Sequence, residues 1–224
     1  MTALPDPRPA APTVHPEPTL DVPLATAGLA GVALGVLHLV LTASSSDPLS
    51  DVLTSSAASA VAAFLLARHL RVSPGAGAAV GAVLLVGAAA SHQVLGVLAV
   101  LASQHTVGAS ISTTWIALAA LAGAVFGAAG AWSLDHDTWR GAAALSVAPG
   151  VLFGEALLRL QALPPGGSPY RADALDVVVL TALLGVVAMA TTVRDGMLLR
   201  RVALLTPLLA VVCLGGFHVV RVLG

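Results

Sequence analysis

Apolar residues fall into seven long blocks along the chain, and short polar connections separate each block from the next. Six of the blocks hold about 17–25 residues, the length of helix that crosses the hydrocarbon core of a bilayer. The third block is longer, and a straight helix over it would measure about 42 Å. We therefore expect it to tilt, to project from the membrane or to break near Ser91-His92-Gln93. The predicted spans are Leu24–Thr42, Asp47–Ala67, Gly75–Ala102, Thr113–Trp132, Gly141–Gln161, Ala172–Val193 and Val202–Leu223.

The composition supports this interpretation, because 57 % of the residues are hydrophobic and only 9 % are charged. Soluble domains carry about 25 % charged residues. Such low polarity excludes a disordered chain and a nucleic-acid-binding protein, and a single cysteine, Cys213, excludes a disulfide scaffold. The sequence predicts an all-α fold, a polytopic transmembrane helical bundle with seven spans. Six spans result if one block merges with another or re-enters the membrane.

Residues 1–23 differ from the rest of the chain, since they hold seven of its fourteen prolines. Proline lacks a backbone donor and stops helices, and few apolar side chains are present to form a core. The segment also lacks the basic start and short apolar core of a signal peptide. We expect a disordered, Pro-rich N-terminal tail over residues 1–23 and a single transmembrane helical domain over residues 24–224.

The distribution of arginine predicts the orientation of the bundle, because cytoplasmic connections are enriched in basic residues. All ten basic residues are arginine. With seven spans and an N-terminus inside, seven arginines lie on the cytoplasmic side and three lie outside. We therefore predict a multi-pass protein of the cell membrane with its N-terminus in and its C-terminus out. The cytoplasmic arginines are Arg8, Arg68, Arg71, Arg140, Arg194, Arg200 and Arg201, and the outer ones are Arg159, Arg171 and Arg221.

Pairs of glycines recur four residues apart in several spans. Glycines at this spacing lie on one helix face, where the missing side chains let two backbones approach each other. We predict that these pairs form the packing seams of the bundle. They are Gly31/Gly35, Gly77/Gly81, Gly123/Gly127 and Gly150/Gly154.

Four ionisable side chains lie within the predicted spans, where charge is costly and each such group needs a physical explanation. They are His38, His92, Glu155 and His218. At 1.5 Å per residue they lie about 21–26 Å above the cytoplasmic boundary of a core about 30 Å thick. We therefore expect all four in the outer third of the membrane, around a polar pocket that opens outward with Glu155 at its centre.

Two chemistries suit this set of side chains. Three imidazoles and a carboxylate match the ligands of a first-row metal such as zinc, and they equally suit a protonatable substrate site. The identity of any metal stays open, and no cofactor is predicted. The structural alternative is an ion pair between Glu155 and Arg159, which lies four residues later on the same helix face. The ligand-binding candidates are therefore Glu155, His38, His92, His218 and Arg159.

The chain lacks the sequence signatures of common enzymes: HExxH, GxSxG, CxxC, a P-loop and GxGxxG are all missing. We therefore predict a non-enzymatic protein that binds or transports a small molecule or serves as a membrane subunit. One alternative is a structural or regulatory membrane scaffold. Another is an intramembrane metal-dependent hydrolase that uses His38, His92, His218 and Glu155. The expected partners are the lipid bilayer, a small molecule and a membrane protein, without nucleic acid.

Three stretches carry a family resemblance: SSAASAVAAFLLAR at Ser55–Arg68, GAVFGAAGAW at Gly123–Trp132 and GVLFGEALLRL at Gly150–Leu160. With them the chain resembles, over about residues 24–223, a family of small multi-pass membrane proteins found mainly in actinobacteria. In that family the last stretch typically combines small residues with Gly-Glu, here Gly154-Glu155. The family is known only as a domain of unknown function. The resemblance implies a bacterial inner-membrane protein without an assigned activity.

Overall fold

A computed structural model describes residues 20–44, 47–102, 112–135, 138–166, 168, 170–192 and 196–223. All the regular elements over these ranges are α-helices, which confirms the predicted fold class. The predicted tail lies outside the described residues up to position 19. Helix α1 begins at Asp21, earlier than the predicted boundary, because the first turn of a helix tolerates Pro23. The helices are α1 (Asp21–Ser44), α2 (Pro48–Leu53), α3 (Ser56–Leu70), α4 (Pro74–Ala102), α5 (Thr113–Trp132), α6 (Trp139–Gln161), α7 (Arg171–Thr192) and α8 (Gly196–Leu223).

Six of these helices, α1 and α4 to α8, are long and apolar enough to cross a membrane. They present large apolar side chains on the outside of the bundle. Leu29 is 75 % exposed, Leu121 65 % and Leu204 74 %. Exposed apolar area on this scale is unfavourable in water and is matched by lipid chains. The protein is therefore a multi-pass membrane protein whose helices contact a bilayer.

The second predicted span is not one helix. The structure divides the segment Asp47–Ala67 between the short helix α2 and the start of α3, with a break at Thr54 and Ser55. Its apolar composition predicted a continuous helix, but the small polar residues at the break offer the backbone other hydrogen bonds.

Hydroxyl groups account for the break. The Thr54 hydroxyl donates to the carbonyl of Ser50 at 2.8 Å, which closes the last turn of α2. The Ser55 side chain accepts a hydrogen bond from the backbone N–H of Ala58 at 3.1 Å, which starts α3 as an N-cap. The chain thus ends one helix and begins the next within two residues.

The third predicted span is longer than the bilayer core, but it does not break. Helix α4 is continuous through Ser91-His92-Gln93. The Ser91 hydroxyl donates to the carbonyl of Gly87 in the preceding turn at 2.7 Å, so this polar group is satisfied inside the helix. With 29 residues α4 is about 44 Å long, so it projects from the core or tilts within it.

The predicted glycine seams are present and are clearest between α4 and α5. A Cβ atom added to Gly81 would overlap the carbonyl oxygen of Gly123, and one added to Gly127 would overlap that of Gly77. The two backbones therefore touch directly, in antiparallel directions, along two turns. Such close approach is available only where side chains are absent.

The Gly31/Gly35 and Gly150/Gly154 pairs form the other two seams, the first between α1 and α4 and the second between α6 and α8. In both seams the two helices run in the same direction. Gly31 of α1 packs against the backbone of Leu84 in α4, and Gly35 packs one turn later against Ala88. Since α1 and α4 are parallel, the segment between them must return across the bundle. Helices α2 and α3 together make this return, so the described part of the chain passes through the bundle seven times, six of them as single helices.

Helix α6 lies at the centre of the bundle. Of its most apolar stretch 72 % is buried, compared with 17–28 % for the other five long helices. It packs against α7 and α8 on one side and against α3 and α5 on the other. Residues of α6 can therefore contact helices that precede it in the chain, α3 and α5, and helices that follow it, α7 and α8.

Replacing Gly81 with alanine is expected to destabilise the protein by about 1–3 kcal/mol, because the new methyl group forces the α4 and α5 backbones apart. The matched control is Gly96→Ala in the same helix, where an added Cβ meets open space. The control should leave stability unchanged or raise it by up to about 1 kcal/mol. Unfolding in mild detergent measures both changes, and equal effects of the two substitutions would contradict the seam.

Reporter fusions after Arg71 and at Gly224 are expected to lie on opposite sides of the membrane, with Gly224 outside. The physical reason is that α3 and α8 run in opposite directions through the bundle, and that arginine favours the cytoplasm. Reporters on the same side would contradict the seven passes. Gly224 inside with Arg71 outside would contradict the orientation alone.

Candidate functional site

Glu155 lies in α6 at the break between α2 and α3, where it is only 4 % exposed. Its Oε2 atom accepts a hydrogen bond from the backbone N–H of Ala57 at 2.9 Å. Ala57 is in the first turn of α3, where backbone N–H groups have no acceptor within the helix. A carboxylate from a neighbouring helix thus caps the buried start of α3.

Arg159 lies one turn after Glu155 and completes the cluster. Its Nε and Nη2 atoms donate to Oε1 of Glu155 at 2.9 and 2.7 Å. The Nη2 atom also lies 3.3 Å from the carbonyl oxygen of Asp51, to which it donates. Asp51 is in α2, whose last carbonyl groups likewise lack helical partners. The predicted ion pair therefore exists, and it bridges the two sides of the helix break.

The polarity of the cluster matches the polarity of the helix ends. The N-terminus of a helix carries a partial positive charge and its C-terminus a partial negative one. Glu155 meets the N-terminus of α3, and Arg159 meets the C-terminal part of α2. Each charge is thus compensated by its partner and by a helix end, which makes a carboxylate acceptable in an apolar environment.

Two of the predicted histidines lie on the α1 and α4 side of the break. His38 of α1 lies near the backbone carbonyl of Leu53, the last residue of α2, and the backbone nitrogen of His92 in α4 lies against Gly35, one turn before His38 in α1. The His38 Nε2 atom is buried and makes no hydrogen bond to any described residue. A buried polar atom without a partner is unusual in a folded protein and calls for an explanation.

His218 occupies a different place. Its Nε2 atom lies 3.3 Å from Oε1 of Gln161, at the ends of α8 and α6, and its side chain is exposed. Among the residues that the structure describes, no group of three or more His, Cys, Asp or Glu side chains is placed to hold a metal ion. The structure thus brings Glu155 and Arg159 together, sets His38 beside the end of α2 with His92 on the neighbouring helix α4, and leaves His218 apart.

Two functional groups of the site, the Asp51 carbonyl and the Ala57 N–H, were not predicted from the sequence. Main-chain atoms carry no signature in the residue letters. The sequence does contain one indication of the helix break: Thr54, Ser55 and Ser56 form a polar run inside a predicted span. Such a run favours helix caps over a helix interior.

Comparison with protein families identifies the chain's family. The model of a family of unknown function, DUF6518, matches residues 15–222. The chain belongs to DUF6518. Membership in a family of unknown function, which the sequence resemblance implied, is therefore confirmed, while an actinobacterial origin stays a prediction. No curated protein matches the chain. No solved structure matches it either.

The Glu155–Arg159 pair is expected to stabilise this DUF6518 protein by bracing the helix break. Glu155→Ala leaves the Arg159 charge and the Ala57 N–H without partners, so stability should fall by about 3–5 kcal/mol. In the double variant Glu155→Ala/Arg159→Ala no unpaired charge remains, and stability should recover by about 1–3 kcal/mol. The control is Asp173→Asn, an exposed carboxylate in the first turn of α7.

Unfolding of the unmodified chain, Glu155→Ala, Arg159→Ala and the double variant in mild detergent gives the four free energies that a double-mutant cycle needs. A double variant as unstable as the sum of both single variants would show that the two side chains do not act as a pair.

Proposed function

We propose that the protein is a non-enzymatic membrane protein that binds a small polar molecule at the break between α2 and α3. The binding residues in this proposal are Arg159 and His38, and Glu155 holds Arg159 in place. We further place the protein in the cell membrane of a bacterium, where it acts as a carrier or as the membrane subunit of a larger assembly.

The observation behind this proposal is that the described residues hold the Arg159 guanidinium on one side and leave it free on the other. Glu155 and the Asp51 carbonyl fix one side of the group, while its Nη1 atom has no partner among the described residues. The Arg159 side chain is 31 % exposed and the Glu155 side chain only 6 %. A guanidinium with a fixed position and free N–H groups is suited to bind carboxylate, phosphate or carbonyl oxygens.

The helix break supports the same conclusion. Membrane transport proteins commonly build their binding sites from discontinuous helices, since unwound backbone offers polar groups at membrane depth. The unpartnered Nε2 atom of His38 adds a second polar group near the end of α2. Together these groups would give a small molecule both a cationic donor and an imidazole contact.

A structural scaffold is the second candidate function, and one observation favours it. Both carboxylate oxygens of Glu155 already have partners within the chain. If bracing is the whole role of the cluster, apolar replacement of both charged residues would leave a folded protein with its normal partners. No contact among the described residues favours the metal-dependent hydrolase.

Mass spectrometry of the protein purified in mild detergent tests the proposal without assuming a ligand. We expect a small polar molecule to co-purify with the unmodified chain and with the control Asp173→Asn. Its amount should fall at least about tenfold in Arg159→Gln and about fivefold in His38→Ala, because each loses a contact worth about 1–1.5 kcal/mol. Equal amounts in all four proteins, or none in the unmodified chain, would contradict the proposal.

A further inference from the structure

A second site is a groove between α1, α3 and α4, whose basic end lies at the C-terminus of α3, the end of that helix opposite Glu155. The groove has a volume of about 980 Å³ and is open rather than enclosed. Leu34 and Leu37 of α1 line one wall, and Leu65 and Leu66 of α3 line the other. Leu37 is 47 % exposed and Leu65 49 %, so the walls are apolar and accessible from the bilayer.

Three basic residues close one end of this groove. They are Arg68 and His69, in the last turn of α3, and Arg71, its C-cap residue. No carboxylate among the described residues forms an ion pair with any of them. Asp135, one residue beyond the groove wall at Leu134, is exposed and accepts a hydrogen bond from the Thr138 hydroxyl at 2.9 Å. The groove therefore combines apolar walls with a basic end.

Arg68 is held at this end by the bundle itself. Its Nη1 atom donates to the hydroxyl oxygen of Ser133 at 3.2 Å. Ser133 is fully buried, and its own hydroxyl donates to the carbonyl of Gly130 at 2.6 Å. A buried side chain thus orients the guanidinium, which reduces the entropy that a ligand would otherwise lose in ordering it.

We infer that this basic groove binds an anionic phospholipid, with the headgroup at Arg68 and Arg71 and an acyl chain along the leucine walls. From Ala62 to Arg71 the groove follows α3 for about 14 Å, which suits the upper part of an acyl chain. Basic pockets between transmembrane helices bind anionic headgroups by charge complementarity. A free anion would leave the apolar walls empty, and a zwitterionic lipid would bring no net charge to the arginines.

This inference is independent of the proposed small-molecule site. The basic groove lies along the later turns of α3, whereas Glu155 caps the first turn of that helix. Variants of the groove should therefore leave the co-purified small molecule unchanged, and the two proposals can fail separately.

Mass spectrometry of the intact full-length protein with bound lipids tests the inference. The protein in mild detergent is mixed with equal amounts of phosphatidylglycerol and phosphatidylcholine. We expect at least about tenfold more bound phosphatidylglycerol. Arg71→Gln should reduce its binding about fivefold, the equivalent of about 1 kcal/mol for one arginine near a membrane surface.

Two further variants and one competitor complete the test. Arg140→Gln, an exposed arginine at the same end of the bundle but outside the groove, should leave lipid binding unchanged. Ala33→Phe should fill the apolar part of the groove and weaken binding of the lipid without changing any charge. Inorganic phosphate at millimolar concentration should not displace the lipid.

Equal binding of the two lipids would overturn the inference, as would equal losses in Arg71→Gln and Arg140→Gln. Displacement by phosphate alone would also overturn it, because the site would then recognise a free anion. If Arg71→Gln fails to fold, Ala33→Phe still decides the question, and full lipid binding in that variant would contradict the site.

Discussion

The need to satisfy backbone hydrogen bonds in an apolar environment governs this structure. A helix that stops inside a bundle leaves N–H and C=O groups that lipid cannot solvate, and each such group costs several kcal/mol. Here the stop at Thr54 and Ser55 is made tolerable by Glu155 and Arg159, which supply an acceptor and a donor from one turn of α6. The only ion pair among the described residues thus serves the backbone.

Much of the fold could be predicted from the sequence, because bilayer thickness translates directly into the length of apolar blocks. The glycine pairs also indicated their seams, since two glycines one turn apart, such as Gly77 and Gly81, clear one helix face for the close approach of another backbone. The break in the second span escaped prediction. Hydropathy sums over a window, whereas a single capping hydroxyl at Ser55 decides where a helix begins.

The site was predicted in part, for a related reason. Spacing alone placed Glu155 and Arg159 on one helix face, and the structure bears out their contact. The estimated depth of His218 in the membrane suggested that it belongs to the same cluster. Two residues at equal depth can still lie on opposite sides of the bundle. The exposed side of α8 and the neighbouring Gln161 account for its separate location. Contacts between distant helices depend on how the helices pack against each other. The spacing of residues within one helix gives no information about that packing.

The bonds that Glu155 and Arg159 make to main-chain atoms have a consequence for genetics. An interaction between two side chains can be lost through one substitution and restored through a compensating substitution in the partner. Ala57 contributes an N–H that every residue except proline has, and Asp51 contributes a carbonyl that every residue has. Suppressor mutations of a defective Glu155 are therefore expected within α6 itself, and the bond from the Ala57 N–H to Glu155 would leave no trace of paired substitutions at these two positions in a set of related sequences.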